Sequence, residues 1–164
     1  MTTESLDEQV PVQFYRKIKK EDKEKIENIQ AWIKTKPDNG LWAFVFIDNK
    51  KEIFSFYGQE LSEDKNHLQL IPLIELLEWI DEPEKKKNLL VYTKSSYVVN
   101  CLTEWIDKWK RTDFKIEDKK DRPNADLLRK IDKLKTNITV TVKLLMAEND
   151  FSKQSEELIT KYND

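Results

Sequence analysis

The stretch LLVYTKSSYVVNCLTEWIDKWKRTDFK, residues 89–115, decides the fold. Residues 88–93 are a continuous apolar run, which is typical of a central strand buried on both faces. Residues 95–110 have a helical pattern of apolar side chains, and Ser95 is a suitable N-cap residue. A strand that leads directly into a helix indicates an α/β domain. At the end of this strand, where many α/β enzymes carry an acidic catalytic residue, the chain has Lys94.

The rest of the chain predicts a mixed five-stranded sheet flanked by helices, with an extra N-terminal helix. The predicted strands are 10–18, the two strands LWAFVFI and EIFSFYG of a hairpin turning at 48–51, 88–93 and 138–145. The predicted helices are 19–35, with Ile26, Ile29, Trp32 and Ile33 on one face, then 67–80, 95–110, 124–134 and 152–162. Residues 1–9 are predicted to be a disordered lead-in, and residues 10–164 a single domain.

Composition excludes several kinds of site. The chain has 164 residues, a net charge of −2, one cysteine and one histidine, so a Cys/His metal site and an intrachain disulfide are excluded. The near-neutral charge confines any nucleic-acid site to a local basic patch. The polar N-terminus resembles no targeting signal, and no apolar run reaches the length of a membrane span, so the nucleus or cytoplasm is expected and no membrane partner.

Several motifs in the second half of the chain resemble the ribonuclease H family, type 1 branch. The family's Tyr-Thr-Asp-Ser-x-Tyr-Val motif corresponds to YTKSSYV at 92–98. Its paired tryptophans and basic handle correspond to WIDKWKR at 105–111 and to Phe114 and Lys115, and its Asn-x-Asp-Leu to residues 124–127. The resemblance covers about residues 41–161. It implies an RNase H-like fold and hydrolysis of the RNA strand of RNA/DNA hybrids by two Mg²⁺ ions held by four carboxylates.

The four carboxylate positions of that family are mostly occupied by other residues in this chain. By the resemblance they fall near Arg16, at Gln69, at Lys94, and at Glu156 or Glu157, with the family's loop histidine falling near Leu145. Two close divalent cations need clustered anionic oxygen ligands, and at most one of the four positions supplies one. The expectation at this stage is therefore a catalytically inactive member of the family, with no metal and no cofactor.

Each motif also has a plainer interpretation. Lys94 could grip a phosphate at the former metal site, or it could pair with Glu156 or Glu157 and neutralise the cavity. Trp105 and Trp109 could line a nucleic-acid channel or pack in the core. The handle, residues 105–123, carries seven basic and five acidic residues, a net of about +2, and could be a nucleic-acid contact or a solvated loop. The candidate nucleic-acid contacts are Trp105, Trp109, Lys108, Lys110, Arg111, Lys115 and Asn124.

The family's phosphate pocket is expected to be lost. Asn124 matches its asparagine, but the other two positions fall near Ser62 and Asp64, and a carboxylate there would repel a phosphate. The leading hypothesis is thus an inactive scaffold for a protein partner, with a nucleoprotein complex as one setting for it. One alternative is a non-catalytic module that binds RNA or RNA/DNA hybrid. A second is a nuclease with altered chemistry, which only Glu156 or Glu157 supports.

Overall fold

A mixed five-stranded sheet forms the centre of the molecule. The computed structural model describes residues 26–50, 52–117 and 119–163. The strands are β1 (Asn28–Lys36), β2 (Leu41–Ile47), β3 (Ile53–Gln59), β4 (Lys87–Thr93) and β7 (Ile138–Leu144), in the order β3-β2-β1-β4-β7. β1, β2 and β3 are antiparallel neighbours, whereas β4 runs parallel to both β1 and β7. The strand predicted over 88–93 is confirmed as the one between two parallel partners.

Helices cover both faces of this sheet. They are α1 (Lys65–Ile80), α2 (Ser96–Asn100), α3 (Ile106–Trp109), α4 (Ala125–Leu134) and α5 (Asp150–Asn163). α2 continues through a π-helical segment (Cys101–Trp105) into α3, and a short two-stranded ribbon, β5 (Lys115–Glu117) and β6 (Lys120–Asp121), follows. α1 and the helix after β4 pack on one face with α4 behind them, and α5 packs on the other face against β1 and β2. The predicted helices 67–80, 95–110, 124–134 and 152–162 are therefore confirmed.

The predicted helix over 19–35 is wrong where the structure describes it, because residues 28–36 form strand β1. Ile29 and Ile33 lie in the main core, whereas Trp32 points to the opposite face and stacks on Phe151 of α5, with ring centroids 4.7 Å apart. A strand buried on both faces loses the alternation that marks a half-buried strand, and its apolar residues can then imitate helical spacing. Residues 1–25, including the lead-in, the strand predicted over 10–18 and Arg16, lie outside the described residues.

The hairpin of β2 and β3 supplies the aromatic part of the core. Phe44, Phe46, Phe54 and Phe56 are buried, and Trp79 of α1 packs edge-on against this group. These rings are core residues. Gly58 of β3 lies beneath the buried Trp42 ring, so close that a Cβ placed there would lie 2.4 Å from a ring carbon. In the part of the chain that the structure describes, no helix is long and apolar enough to cross a membrane.

The helix after β4 begins at Ser95, whose hydroxyl oxygen accepts a hydrogen bond from the Val98 amide at 3.2 Å, as its sequence position predicts. In the π-helical segment that follows, Cys101 is fully buried as a free thiol. Burial raises the pKa of Cys101 to about 11. The thiol therefore stays protonated near neutral pH and packs as a small apolar side chain.

Candidate functional site

Two lysines meet at the carboxyl ends of the parallel strands β1 and β4. Trp32 of β1 is paired with Tyr92 of β4, and Lys34 and Lys94 each lie two residues further along the chain. Both lysines line one cavity of about 170 Å³. In the described part of the sheet, Lys34 thus takes the place beside Lys94 that the sequence analysis assigned to Arg16. The sequence analysis placed the first acidic ligand near Arg16, whereas the strand that pairs with β4 is β1, which begins at Asn28.

Each of these lysines is paired with a glutamate from the α5 side of the sheet. The Lys34 Nζ lies 3.3 Å from an Oε of Glu156, and the Lys94 Nζ lies 2.5 Å from an Oε of Glu148. The hydrogen bond to Glu148 raises the pKa of Lys94, and the same contact lowers the pKa of Glu148. Lys94 therefore pairs with Glu148, which corrects the expectation that Glu156 or Glu157 would be its partner. Glu156 is an additional, weaker influence on Lys94.

Glu148 is held in place by the start of α5. The Ser152 hydroxyl donates a hydrogen bond to Glu148 Oε1 at 2.8 Å, and the Ser152 amide donates to the Asn149 side chain at the same distance. This reciprocal capping fixes the first turn of α5 next to the end of β4. The Leu145 amide donates to the Thr93 carbonyl at 2.7 Å, so the segment between β7 and α5 is also tied to β4.

Gln69 of α1 forms the third side of the cavity. Its Oε1 accepts a hydrogen bond of 2.8 Å from the Thr35 hydroxyl of β1. The sequence analysis placed Gln69, Lys94 and Glu156 at three of the four carboxylate positions. The structure brings Gln69 and Lys94 into the same cavity lining, and it links Glu156 to that lining through Lys34.

This set of side chains does not fit a pair of Mg²⁺ ions, which the resemblance implies. Mg²⁺ requires oxygen ligands in near-octahedral geometry, and the ammonium groups of Lys34 and Lys94 can neither ligate it nor tolerate it nearby. Of the four positions, Glu156 supplies a carboxylate. Gln69 offers one neutral oxygen that already accepts a hydrogen bond from Thr35. Among the described residues, no group of three or more His, Cys, Asp or Glu side chains could hold a metal ion.

Sequence reasoning missed Lys34 and Glu148. A local signal near Lys34 is the turn sequence Pro-Asp-Asn-Gly, which precedes the apolar run LWAFVFI, but the preceding WIKTK is not an apolar run and does not by itself identify β1. The structure has a 3₁₀ turn at Pro37–Asn39, and Gly40 follows it with a φ of +68°. Glu148 carries no comparable signal, because its contact with Lys94 depends on how β7 and α5 are joined.

A row of aromatic rings follows the helix after β4. The ring centroids of Trp105 lie 6.1 Å from Tyr97 and 5.2 Å from Trp109, and the guanidinium carbon of Arg122 lies 4.2 Å above the Trp109 ring. Both tryptophans are half-buried against the main core. Each ring therefore packs on the core and keeps part of its surface exposed.

The handle is folded back onto α4 by ion pairs. Arg129 of α4 contacts Asp121 and Asp113, and Lys115 contacts Asp121 at 3.2 Å. Lys110 lies 3.5 Å from Asp132. The candidate cations Lys108 and Arg111 are exposed on the same segment. The basic character of the handle is therefore partly neutralised by acidic neighbours.

The region of the family's phosphate pocket holds a carboxylate. Asp64 caps α1 by accepting a hydrogen bond from the Asn66 amide at 2.9 Å, and its other oxygen accepts from the Asn124 side-chain amide at 3.1 Å. Asn124 adopts a φ of +65° at the start of α4. Because the side-chain donor of Asn124 already contacts a carboxylate, this arrangement disfavours a phosphate at the same place, as the sequence analysis expected.

The order of motifs and the strand pairing agree with one known family. The family model described as RNase H matches residues 31–156, which include β1 through much of α5. The chain belongs to the ribonuclease H family. Its five-stranded mixed sheet with flanking helices is an RNase H-like fold.

Individual relatives agree with this assignment. Ribonuclease H from Cupriavidus pinatubonensis is 35% identical over 103 residues, which are 62% of this chain and 67% of that protein. The crystal structure of a type 1 RNase H with the type 2 active-site motif superposes with a TM-score of 0.66 at 14% identity, over 83% of this chain and 72% of that one. A foamy viral protease-reverse transcriptase in complex with RNA/DNA hybrid gives a TM-score of 0.62 at 13% identity, over 89% of this chain and 21% of that one.

These comparisons overturn the hypothesis of an inactive protein-interaction scaffold. The curated ribonuclease H relatives bear the name of an enzyme, and nothing in them indicates that activity has been lost. The expectations of a non-enzyme and of a scaffold function were therefore wrong; they had been drawn from the carboxylate positions, the near-neutral charge and the phosphate pocket. No comparison supports the protein partner that was expected.

Proposed function

We propose that this chain binds RNA/DNA hybrid and acts on it as a nuclease of the ribonuclease H family. The name of its relatives and the span of the family match support this proposal, since residues 31–156 include both the lysine cavity and the handle. A structural neighbour of the same fold is in complex with RNA/DNA hybrid. The proposal extends that ligand class to this chain.

The observation that carries the proposal is the row formed by Trp105, Trp109 and Arg122. Half-exposed aromatic rings provide contact surfaces for bases or sugars, and the guanidinium of Arg122, which lies over the face of the Trp109 ring, adds a positive charge beside them. By the family resemblance, tryptophans in this place line the channel for the DNA strand. Trp105 and Trp109 lie on the helix that starts directly after Lys94, so we expect one duplex to contact both the rings and the lysine cavity.

Any hydrolysis at this centre depends on the side chains that are present. Glu148 or Glu156 can accept a proton from a water molecule whose oxygen bonds to phosphorus, while the phosphorus–oxygen bond to the leaving strand breaks. Lys94 or Lys34 can stabilise the charge that develops on the phosphate and donate a proton to the leaving oxygen. The lowered pKa of Glu148 makes it a weak base, and the raised pKa of Lys94 makes it a weak acid, so we expect slow cleavage.

Binding and cleavage can be measured in the same reactions with labelled RNA/DNA hybrid. We expect affinity for hybrid that falls steeply with salt, and further loss on Trp109→Ala or Lys110→Glu, but no loss on Lys133→Ala at the far end of α4. We expect cleavage of the RNA strand in EDTA as well as in Mg²⁺, lost on combined Glu148→Gln and Glu156→Gln. Absence of hybrid binding at low salt would overturn the proposal. Binding without any cleavage after long incubation would overturn its catalytic part.

A further inference from the structure

The cavity at the end of β1 and β4 has the composition of an anion site. Besides Lys34 and Lys94, it is lined by the polar side chains of Thr35, Gln69 and Ser95. In side-chain exposure, Lys34 is 28% accessible and Lys94 is 54% accessible, so both ammonium groups can reach a ligand from solvent. A pair of solvent-accessible cations with neighbouring hydroxyl and amide groups can bind a phosphate through charge-assisted hydrogen bonds.

We infer that Lys34 and Lys94 together hold one backbone phosphate of the bound hybrid, and that this contact requires no divalent metal ion. The inference rests on the proposed function, because it names the chemical group of the hybrid that occupies this cavity. The two lysines take the place of the cations that would otherwise neutralise the phosphate. The misfit between the side chains and Mg²⁺ is then a feature of how this chain binds.

The glutamates set the strength of this contact. Glu148 and Glu156 are both substantially exposed, and ion pairs of this kind contribute little to stability because water screens them. A phosphate can therefore replace a carboxylate as the partner of each ammonium group at small cost. The carboxylates compete with the ligand, since they carry the same charge and contact the same donors.

A purely structural role for the lysines predicts a different dependence on the lysines themselves. If Lys34 and Lys94 only neutralise Glu156 and Glu148, Glu148→Gln and Glu156→Gln strengthen binding of any polyanion through net charge, and the gain survives when the lysines are also replaced by alanine. If the lysines form a phosphate site, most of that gain is lost when Lys34→Ala and Lys94→Ala are added.

The experiment is a titration of labelled hybrid with the full chain at several salt concentrations, in EDTA and in Mg²⁺ at matched ionic strength. We expect Lys34→Ala and Lys94→Ala combined to weaken binding on the order of tenfold near 0.1 M salt and to lower the salt slope by about 1. We expect Glu148→Gln and Glu156→Gln combined to strengthen it, and Mg²⁺ to add nothing. Lys133→Ala serves as the matched loss of one surface cation, and circular dichroism confirms that each variant is folded.

The outcomes distinguish failure of the phosphate site from failure of the proposed function. If the native chain does not bind hybrid, the proposed function fails. If the native chain binds hybrid but the lysine variant binds equally well, or if the gain from the glutamine substitutions is absent or survives in the lysine variant, the phosphate site is wrong while the proposed function stands. Binding that depends on Mg²⁺ at constant ionic strength would also overturn the inference.

Discussion

Arg129 and Asp121 form two parallel contacts, with Nη2–Oδ1 of 2.7 Å and Nη1–Oδ2 of 3.2 Å. The same guanidinium donates a hydrogen bond of 2.7 Å to the Asp113 carbonyl, where the backbone has a φ of +53°. One side chain of α4 thus holds the handle at two points, Asp113 and Asp121. Because the aromatic row lies at the base of this segment, Arg129 determines how the handle is presented to a ligand.

Replacing Arg129 should loosen the handle and leave the rest of the domain intact. In Arg129→Ala, we expect amide exchange in residues 113–122 to become much faster, because the fork between Asp113 and Asp121 is lost. Arg129→Lys should give an intermediate result, since an ammonium group cannot reproduce the bidentate contact. Hydrogen exchange followed by mass spectrometry measures both. Unchanged protection of the handle in Arg129→Ala would contradict the assignment, and Lys133→Ala on the same helix is the control.

The handle should also loosen in acid. Hydrogen bonds from Arg129 and Lys115 lower the pKa of Asp121 from its ordinary value near 3.8 to about 2. A carboxyl group with a lowered folded-state pKa stabilises the fold above its unfolded pKa and loses that contribution as the pH falls through its folded pKa. We therefore expect handle exchange rates, corrected for intrinsic chemistry, to rise between about pH 4 and pH 2. In Arg129→Ala the pKa of Asp121 should rise towards its ordinary value but stay somewhat below it, because the contact with Lys115 remains, and an unshifted native titration would refute the contact.

A core leucine of α1 provides a direct test of packing. Leu76 is fully buried between the helix and the sheet, so Leu76→Ala should lower the free energy of unfolding by about 2–5 kcal/mol. Leu61 has 66% of its surface exposed, and Leu61→Ala should change stability by less than about 0.5 kcal/mol. Urea unfolding monitored by tryptophan fluorescence measures both. Equal effects of the two substitutions would show that Leu76 does not lie in the core.

Gly58 should tolerate no side chain. A methyl group there would clash with the Trp42 ring, which is itself buried and has little room to move. We expect Gly58→Ala to destabilise the fold by about 1–3 kcal/mol, and Ser55→Ala on the other face of β3 to have a much smaller effect. Thermal unfolding compares the two. A stable Gly58→Ala variant would mean that the Trp42 ring can shift.

The mismatch between the side chains of the lysine cavity and Mg²⁺ can be removed by mutation. Combined Lys34→Asp, Gln69→Glu and Lys94→Asp would join Glu156 to give four carboxyl groups at the family's positions. We expect this variant to bind Mn²⁺ or Mg²⁺ in calorimetry, because clustered carboxylates attract divalent cations and a bound cation reduces the repulsion between them. The native chain should show no such heat. Absence of metal binding by a folded triple variant would mean that these four side chains do not converge.

The strands with unmistakable local patterns could be predicted from sequence. β4 has an uninterrupted apolar run, and the hairpin of β2 and β3 has two apolar runs around a polar turn, so each element carries its own evidence. β1 could not be assigned in the same way, because Trp32 and Ile33 are both buried on opposite faces and their spacing fits a helix equally well. The signal that identifies β1 is its pairing with β4, some 60 residues away in the chain.

The candidate site was predicted only in part for the same reason. Lys94 was assigned from a short motif, and Gln69 and Glu156 from their places in the family resemblance; of these, Gln69 and Lys94 line the same cavity. Lys34 was missed together with β1, and Glu148 was missed because its contact with Lys94 bridges a loop and a strand end. A resemblance locates residues along the chain, whereas contacts between charged side chains depend on tertiary packing.

The buried thiol of Cys101 makes thiol labelling a measure of how often this protein opens locally. It is the single cysteine of the sequence, it is fully buried, and it stays protonated at neutral pH. A maleimide can therefore label the chain only while the helix after β4 is detached from the sheet. The rate at which each variant gains the mass of one maleimide would rank the variants described above by their opening equilibria. The variants could be labelled together in one mixture.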